Sequence, residues 1–136
     1  MPSRRVRSHT RVIAASIICA VLFACTSGTG PQTLTDRLTG TWSENGLGQF
    51  GSVFTMVLAA HDTTVTGRGN YSIEAGRSGS VTVAGVIHGQ NIDLTITYDY
   101  GDVAQFSGTL PSAGELDGSW RTTSDPIEVS FTKVAQ

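Results

Sequence analysis

Hydrophobic and polar residues alternate with a period of two along most of the chain from residue 38 onward. In "NIDLTITYDY" (91–100), Ile92, Leu94, Ile96, Tyr98 and Tyr100 fall on one face, and polar residues occupy the other. Such alternation is typical of a β-strand with one buried face. The pattern predicts eight strands, which cover 38–44, 50–60, 63–73, 80–89, 91–100, 103–111, 115–123 and 126–134.

The same alternation predicts which side chains face the core. In three further strands we expect the inward set to comprise Phe54, Met56 and Leu58; Val81, Val83, Gly85 and Ile87; and Ile127, Val129 and Phe131. The second strand is apolar on both faces, so its inner set rests on parity alone. These residues form the predicted core.

Short turn signals separate the strands, among them "AAHDT", "HGQN", "DYGD" and "PSAGE". Gly, Asn, Asp and Pro clusters of this length are typical of hairpin connections. No segment shows helical periodicity, so the sequence predicts an all-β fold in which consecutive strands pair antiparallel. An open eight-stranded sheet would leave two exposed edges, so we expect an up-and-down (meander) barrel over 38–136.

A glycine flanked by apolar residues recurs within the strands. The pattern apolar, any, Gly, any, apolar occurs in "LTGTW" (38–42), "VTGRG" (65–69), "VAGVI" (83–87), "FSGTL" (106–110) and "LDGSW" (116–120). Each glycine has the parity of its apolar neighbours and is expected to face inward. Glycine within a strand permits sharp coiling and leaves room for a large ring. The pattern therefore indicates the curvature of a small barrel.

The N-terminal segment has a separate signal. Residues 1–11 carry four arginines and no acidic residue, and residues 12–24 are uncharged and mostly apolar. This is the arrangement of a signal peptide over 1–24. The tetrapeptide Leu22–Cys25, "LFAC", resembles a bacterial lipobox, which implies that Cys25 is lipidated and becomes the new N-terminus. An ordinary secretory signal, or an uncleaved helix, is the alternative.

If the lipobox assignment holds, residues 25–37 are the lipidated Cys25 and a flexible tether to the barrel. The resemblance then implies a lipoprotein of the cell envelope. Its partner is the membrane, to which acyl chains such as palmitate anchor it. Thr26 stands where an aspartate favours inner-membrane retention in some diderm bacteria, so an outer-membrane or periplasm-facing location is expected rather than a cytoplasmic one.

Charge and cysteine content exclude several classes of function. Without residues 1–24, the chain has 11 acidic and 5 basic side chains, a formal charge of −6 with histidines neutral. A domain this acidic lacks the basic surface that nucleic acids require. Cys25 is then the single remaining cysteine, which excludes an intrachain disulfide and a thiolate metal site.

Candidate chemistry is sparse, and we expect no enzyme activity, no metal and no cofactor. His61, beside Asp62, and His88 fall at turns, where a solvated role is expected. The abundant serines and threonines lack a histidine on the inner face to act as a base. The aspartates that could bind a cation lack the dense spacing of a calcium loop, and they are Asp99, Asp102, Asp117 and Asp125.

Several strand sequences, in order, resemble the avidin and streptavidin family and, more distantly, lipocalin-type barrels. They are "LTGTWSENGLG", "VTGRGNY", "LTITYD", "FSGTL", "LDGSW" and "FTKV". The resemblance implies an eight-stranded barrel. The biotin-contacting aromatic residues of that family would correspond to Tyr98, Phe106 and Trp120, and its ureido-binding Asn to Glu44 or Asn45. Its late Asp falls near Glu128 or Val129, and its subunit-capping tryptophan has no counterpart, so biotin binding is not expected.

The sequence therefore predicts a lipid-anchored, non-catalytic barrel that binds a small, largely apolar ligand at its open end. The predicted walls are Trp42, Tyr98, Phe106 and Trp120, with Glu44 or Asn45 at the mouth. The alternative is a filled barrel whose turns contact another envelope protein, in an interaction or inhibitor role. The two hypotheses differ in whether any of the barrel interior is hollow.

Overall fold

A computed structural model describes residues 32–45, 53–73 and 76–135. These residues form one short helix followed by eight β-strands. The elements are α1 (Leu34–Leu38), β1 (Gly40–Asn45), β2 (Val53–His61), β3 (Thr64–Ile73), β4 (Arg77–His88), β5 (Asn91–Tyr98), β6 (Val103–Ser112), β7 (Glu115–Arg121) and β8 (Ile127–Lys133). The predicted signal peptide and Cys25 lie outside the described residues.

The eight strands form a closed barrel in sequence order, and every neighbouring pair is antiparallel. The predicted all-β meander barrel is therefore confirmed. Closure comes from the pairing of β1 with β8, in which Trp42 lies opposite Lys133 and Ser43 opposite Thr132. Each strand overlaps the segment predicted for it, and the bounds differ by a few residues.

The barrel interior is a single hydrophobic core, and most of the predicted inner residues are in it. The largest side chains that are almost fully buried are Trp42, Phe54, Phe106, Phe131, Leu38, Met56, Leu58, Ile92, Leu94, Ile96, Leu116 and Val65. Two residues depart from the prediction. Tyr100 is 48% exposed because β5 ends at Tyr98, and Ile127 is 39% exposed because it is the first residue of β8.

The helix α1 was not predicted, and it begins inside the segment expected to be a tether. Thr33 caps it, because the Asp36 backbone N–H donates to Thr33 Oγ1 over 3.2 Å and the Thr33 N–H donates back to the Asp36 carboxylate. This reciprocal capping box satisfies donors that a helix start otherwise leaves without partners. Within the described ranges, no helix is long and apolar enough to cross a membrane.

The helix closes one end of the barrel. Leu38, its last residue, is fully buried in the core, and Leu34 packs against the core from the same helix. The Arg37 guanidinium donates a hydrogen bond of 3.0 Å to the carbonyl oxygen of Leu110, near the end of β6. The end that carries the β2–β3, β4–β5 and β6–β7 turns is therefore covered.

Two of the recurrent glycines lie opposite each other and show the curvature expected of them. Gly108 on β6 pairs with Gly118 on β7. A Cβ at Gly118 would overlap the carbonyl oxygen of Ser107 and lie 2.8 Å from the Phe106 ring. The strands approach closely here, and an aromatic ring covers the glycine pair.

The similar sequence "LTGTW" has a different structure. Its leucine ends α1, and Gly40 turns the chain from the helix into β1 with a φ of 143°, a conformation that side chains rarely permit. The strand predicted over 38–44 therefore begins two residues later.

Candidate ligand pocket at the barrel mouth

The end of the barrel opposite α1, here called the mouth, carries the β5–β6 turn and the β7–β8 connection. Strands β1 and β3 end here and β2 and β4 begin here, while residues 46–52 and 74–75 lie outside the described residues. A pocket of about 190 Å³ opens at the mouth. Its lining consists mainly of aromatic and aliphatic side chains with three polar ones, and comprises Phe54, Tyr71, Ile73, Tyr98, Tyr100, Trp120, Thr122, Ser124, Asp125 and Ile127.

All three tyrosines of the chain meet at the mouth, although they come from β3, β5 and the turn after β5. The ring of Tyr71 lies edge-on to Tyr98, with centroids 5.1 Å apart, and to Tyr100 at 6.0 Å. Tyr98 and Tyr100 are 5.2 Å apart and tilted by 34°. Edge-to-face packing of this kind fixes ring orientation, so the three rings form a defined wall.

A second aromatic group forms the floor of the pocket. Phe54 meets Trp120 edge-on at 5.2 Å, and Phe131 lies 6.0 Å from Phe54 and 6.1 Å from Trp120. Phe131 also contacts Phe106 at 5.8 Å, deeper in the barrel. A continuous aromatic stack therefore leads from the filled core to the pocket.

Asp99 fixes the tyrosine wall from the β5–β6 turn. Its carboxylate accepts a hydrogen bond of 2.9 Å from the Ser80 backbone N–H and one of 3.1 Å from the Tyr71 hydroxyl. The Ser80 N–H is the main cause that lowers the pKa of Asp99, and the Tyr71 hydroxyl adds to it. Asp99 is therefore an ionised anchor between β3, β4 and the turn.

The mouth environment keeps the phenols neutral. Burial is the main cause that raises the pKa of Tyr98 to about 12, and nearby Tyr100, Tyr71 and Asp102 add to it. Burial also raises the pKa of Tyr71 and of Tyr100, and carboxylates raise both further. Each phenol is therefore a hydrogen-bond donor, and none carries a negative charge at neutral pH.

The four aromatic residues predicted as pocket walls separate into two groups, those that line the pocket and those that fill the core. Tyr98 and Trp120 line the pocket. Trp42 is fully buried at the helix-covered end, and Phe106 is buried midway along the barrel. Both fill the core and do not line the pocket. Glu44 is largely buried, and it pairs in register with Phe54.

Asn45 pairs with Val53 through its backbone at the end of β1, and its side chain lies outside the described residues. The aromatic and aliphatic lining residues that were not predicted as members of the site are Phe54, Tyr71, Ile73 and Ile127. Their signal was available, because an inward-facing apolar residue near the mouth end of a strand must meet the opening. Recognising it required the hairpin registers.

Of the other candidate groups, Asp125 lines the pocket, whereas His61, Asp62 and Asp117 lie apart from it. His61 and Asp62 are exposed at the helix-covered end, where their side chains lie 3.1 Å apart. Asp117 accepts a hydrogen bond of 2.6 Å from the Ser130 hydroxyl on the outer surface. In the part of the chain that the structure describes, no three His, Cys, Asp or Glu side chains are grouped to hold a metal ion.

Comparisons with known proteins support the fold. The chain matches no protein-family model, and no curated protein matches it. Among solved structures it is similar to a redesigned β-barrel, mFAP1, bound to DFHBI, with a TM-score of 0.62 and 15% identity over 76% of this chain and 100% of that one.

Two further designed proteins are similar. One is the redesigned barrel b11L5F_LGL, with a TM-score of 0.63 and 21% identity over 76% of this chain and 96% of that one. The other is a de novo designed fluorescence-activating β-barrel, with a TM-score of 0.56 and 14% identity over 74% of this chain and 96% of that one. At such identities the likeness establishes the fold alone: an eight-stranded antiparallel β-barrel.

Proposed function

We propose that this protein binds a small, largely apolar ligand in the mouth pocket and does so without catalysis. The observation that carries the proposal is that aromatic rings line an open pocket at the mouth, whereas large side chains fill the interior beneath it. Concave sites lined by apolar side chains with a few polar groups are the usual form of ligand sites. Similar designed barrels include one bound to DFHBI.

The pocket volume limits the size of the ligand. An apolar cavity of about 150 Å³ in a protein core holds a benzene molecule, and the mouth pocket measures about 190 Å³. A ligand with one or two rings therefore fits, and part of a larger molecule would extend into solvent. The lining hydroxyls and the Asp125 carboxylate would orient such a ligand.

The two tryptophans allow a direct test with bromobenzene, because bromine quenches an indole that it contacts. Trp120 lines the pocket, whereas Trp42 is at the covered end. In Trp42→Phe, which retains Trp120, we expect saturable quenching by bromobenzene. In the matched Trp120→Phe protein, bromobenzene should quench the remaining Trp42 only by collision, and this quenching should not saturate as bromobenzene is added. Equal quenching in the two variants would contradict ligand binding at the mouth.

We further propose that the chain is a lipid-anchored envelope protein, on the strength of its N-terminal basic and apolar segments and the lipobox-like "LFAC". The barrel would then lie outside the cytoplasm, joined to the membrane through Cys25. The resemblance of the strand sequences to avidin-type barrels implied an eight-stranded barrel, and the described residues form one. We do not propose biotin as the ligand.

The alternative function is an interaction or inhibitor role in which the turns contact another envelope protein. The filled interior below the pocket favours it, because most of the barrel offers no ligand volume. The bromobenzene experiment separates the two proposals. An absence of saturable Trp120 quenching leaves the interaction role as the better account.

A further inference from the structure

The mouth combines aromatic rings with a carboxylate, a chemistry that a purely apolar site does not need. Rings of Tyr71, Tyr98 and Trp120 line the pocket, and Asp125 lies among the lining residues. The faces of aromatic rings carry partial negative charge and attract cations, and cages of several rings recognise quaternary ammonium groups. A carboxylate at the rim adds a full negative charge to the same site.

The chain itself places a cation against another ring of the pocket, that of Tyr100. The guanidinium carbon of Arg77 lies 5.6 Å from the centroid of the Tyr100 ring, within the distance at which cation and ring attract each other. Tyr100 also lines the pocket. The ring wall therefore already interacts with a positive charge from outside the pocket.

The charges around the mouth favour a cation. Asp99 and Asp102 lie in the β5–β6 turn, and Asp125 lies in the β7–β8 connection; Arg77 and Arg121 are the basic residues on the described mouth segments. Burial is the main cause that raises the pKa of Tyr100; Asp102 raises it further, Arg77 lowers it and Asp99 raises it. Three carboxylates against two guanidinium groups leave these segments with a net negative charge, which favours a cation over an anion.

We propose that the mouth pocket recognises a compact organic cation of the quaternary-ammonium class. The rings of Tyr71, Tyr98, Tyr100 and Trp120 surround the cationic group, and the Asp125 carboxylate opposes its charge. This inference rests on the proposed function, since it specifies the charge of the ligand that the pocket holds.

The test compares choline with 3,3-dimethylbutan-1-ol, which has the same shape and no charge. Binding of each to the full chain in dodecyl maltoside micelles is measured by saturation-transfer NMR, with empty micelles as the blank. We expect choline to bind at least about tenfold more tightly than the alcohol, because the alcohol lacks the charge that the aromatic rings and the Asp125 carboxylate attract.

Variants locate the effect. Asp125→Asn should weaken choline binding roughly threefold to tenfold and leave the alcohol unchanged. Asp62→Asn is the matched control, since it removes one negative charge at the opposite end, where Asp62 is 85% exposed. Tyr98→Leu should weaken choline more than the alcohol, with the melting temperature measured alongside to check folding.

The outcomes separate this inference from the proposed function. If the alcohol binds as tightly as choline, or if bromobenzene quenches Trp120 while choline does not bind, the inference is wrong and the apolar pocket stands. If choline binds Asp125→Asn and Tyr98→Leu as tightly as it binds the unmodified protein, it binds elsewhere and the inference is likewise wrong. If bromobenzene, choline and the alcohol all fail to bind, the proposed function fails as well.

Discussion

The indole Nε1 of Trp42 donates a buried hydrogen bond of 2.8 Å to the carbonyl oxygen of Leu38. This contact joins the first strand to the last residue of α1, so the helix that covers the barrel is held from within. Lys133 supports the same corner, because its ammonium donates a bond of 2.6 Å to the Arg37 carbonyl and lies 5.4 Å from the Trp42 ring centroid. The covered end therefore depends on α1, β1 and β8 together.

Trp42→Phe removes the donor and leaves the Leu38 carbonyl buried without it. We expect the free energy of unfolding to fall by about 1–3 kcal/mol, the cost of a buried polar group that loses its partner. Urea denaturation followed by circular dichroism measures the change. Trp120→Phe is the same exchange at the solvent-accessible pocket and should cost less. An equal loss in both variants would show that ring volume, and not the hydrogen bond, is responsible.

The glycine pair makes a sharper prediction. Gly118→Ala places a methyl group against the Ser107 carbonyl and 2.6 Å from the Gly108 Cα, where backbone atoms must move. We expect a loss of about 3 kcal/mol, at the upper end of overpacking costs. Gly114→Ala is the control, because no atom lies within 4 Å of its added Cβ; its effect should stay within about 0.5 kcal/mol. Comparable losses at both glycines would contradict the close approach of β6 and β7.

The strands were predictable from the sequence because most of them alternate and short turn signals separate them. The helix was not, because the five residues of "LTDRL" are too few to show a 3.6-residue period. The capping box of Thr33 and Asp36 was its visible signal. Gly40 shows that a shared sequence pattern does not determine the local structure. In "LTGTW" a helix precedes Gly40, whereas in "LDGSW" Gly118 lies within β7.

The site was half predictable for a related reason. Parity along a strand indicates that Trp42, Phe106 and Trp120 all face inward, and they do. Neither parity nor pairing register alone decides whether an inward ring fills the core or lines the pocket. Phe106 pairs with Trp120 across β6 and β7, yet the pocket lining includes only Trp120 of the two. The contact between Tyr71 and Tyr100 joins β3 to the turn after β5. Alternation within one strand does not predict such a contact.

The raised tyrosine pKa values predict a loss of stability at alkaline pH. The pKa of Tyr98 is about 12 in the folded protein against an ordinary 10.0, mainly because burial disfavours the phenolate. The contribution of the neutral Tyr98 phenol to the free energy of unfolding is therefore fully present below pH about 10, and it is lost as the pH rises through 12. Urea denaturation across this range should show the decline, and Tyr98→Phe should flatten it. A decline of unchanged steepness in Tyr98→Phe would contradict the assignment to Tyr98.

The proposed anchor makes the last prediction. If Cys25 is lipidated, the protein extracted from the membranes of the cells that produce it should lack residues 1–24 and carry added acyl mass on the new N-terminus, which intact-protein mass spectrometry measures. Cys25→Ala should move the protein out of the membrane-anchored fraction, because a single apolar segment shorter than about 20 residues spans a bilayer poorly. Cys19→Ala is the matched control within the apolar segment and should leave both mass shift and fractionation unchanged. Retention of residues 1–24 in the native protein, or membrane attachment of Cys25→Ala equal to that of the native protein, would contradict lipidation and favour an uncleaved N-terminal helix.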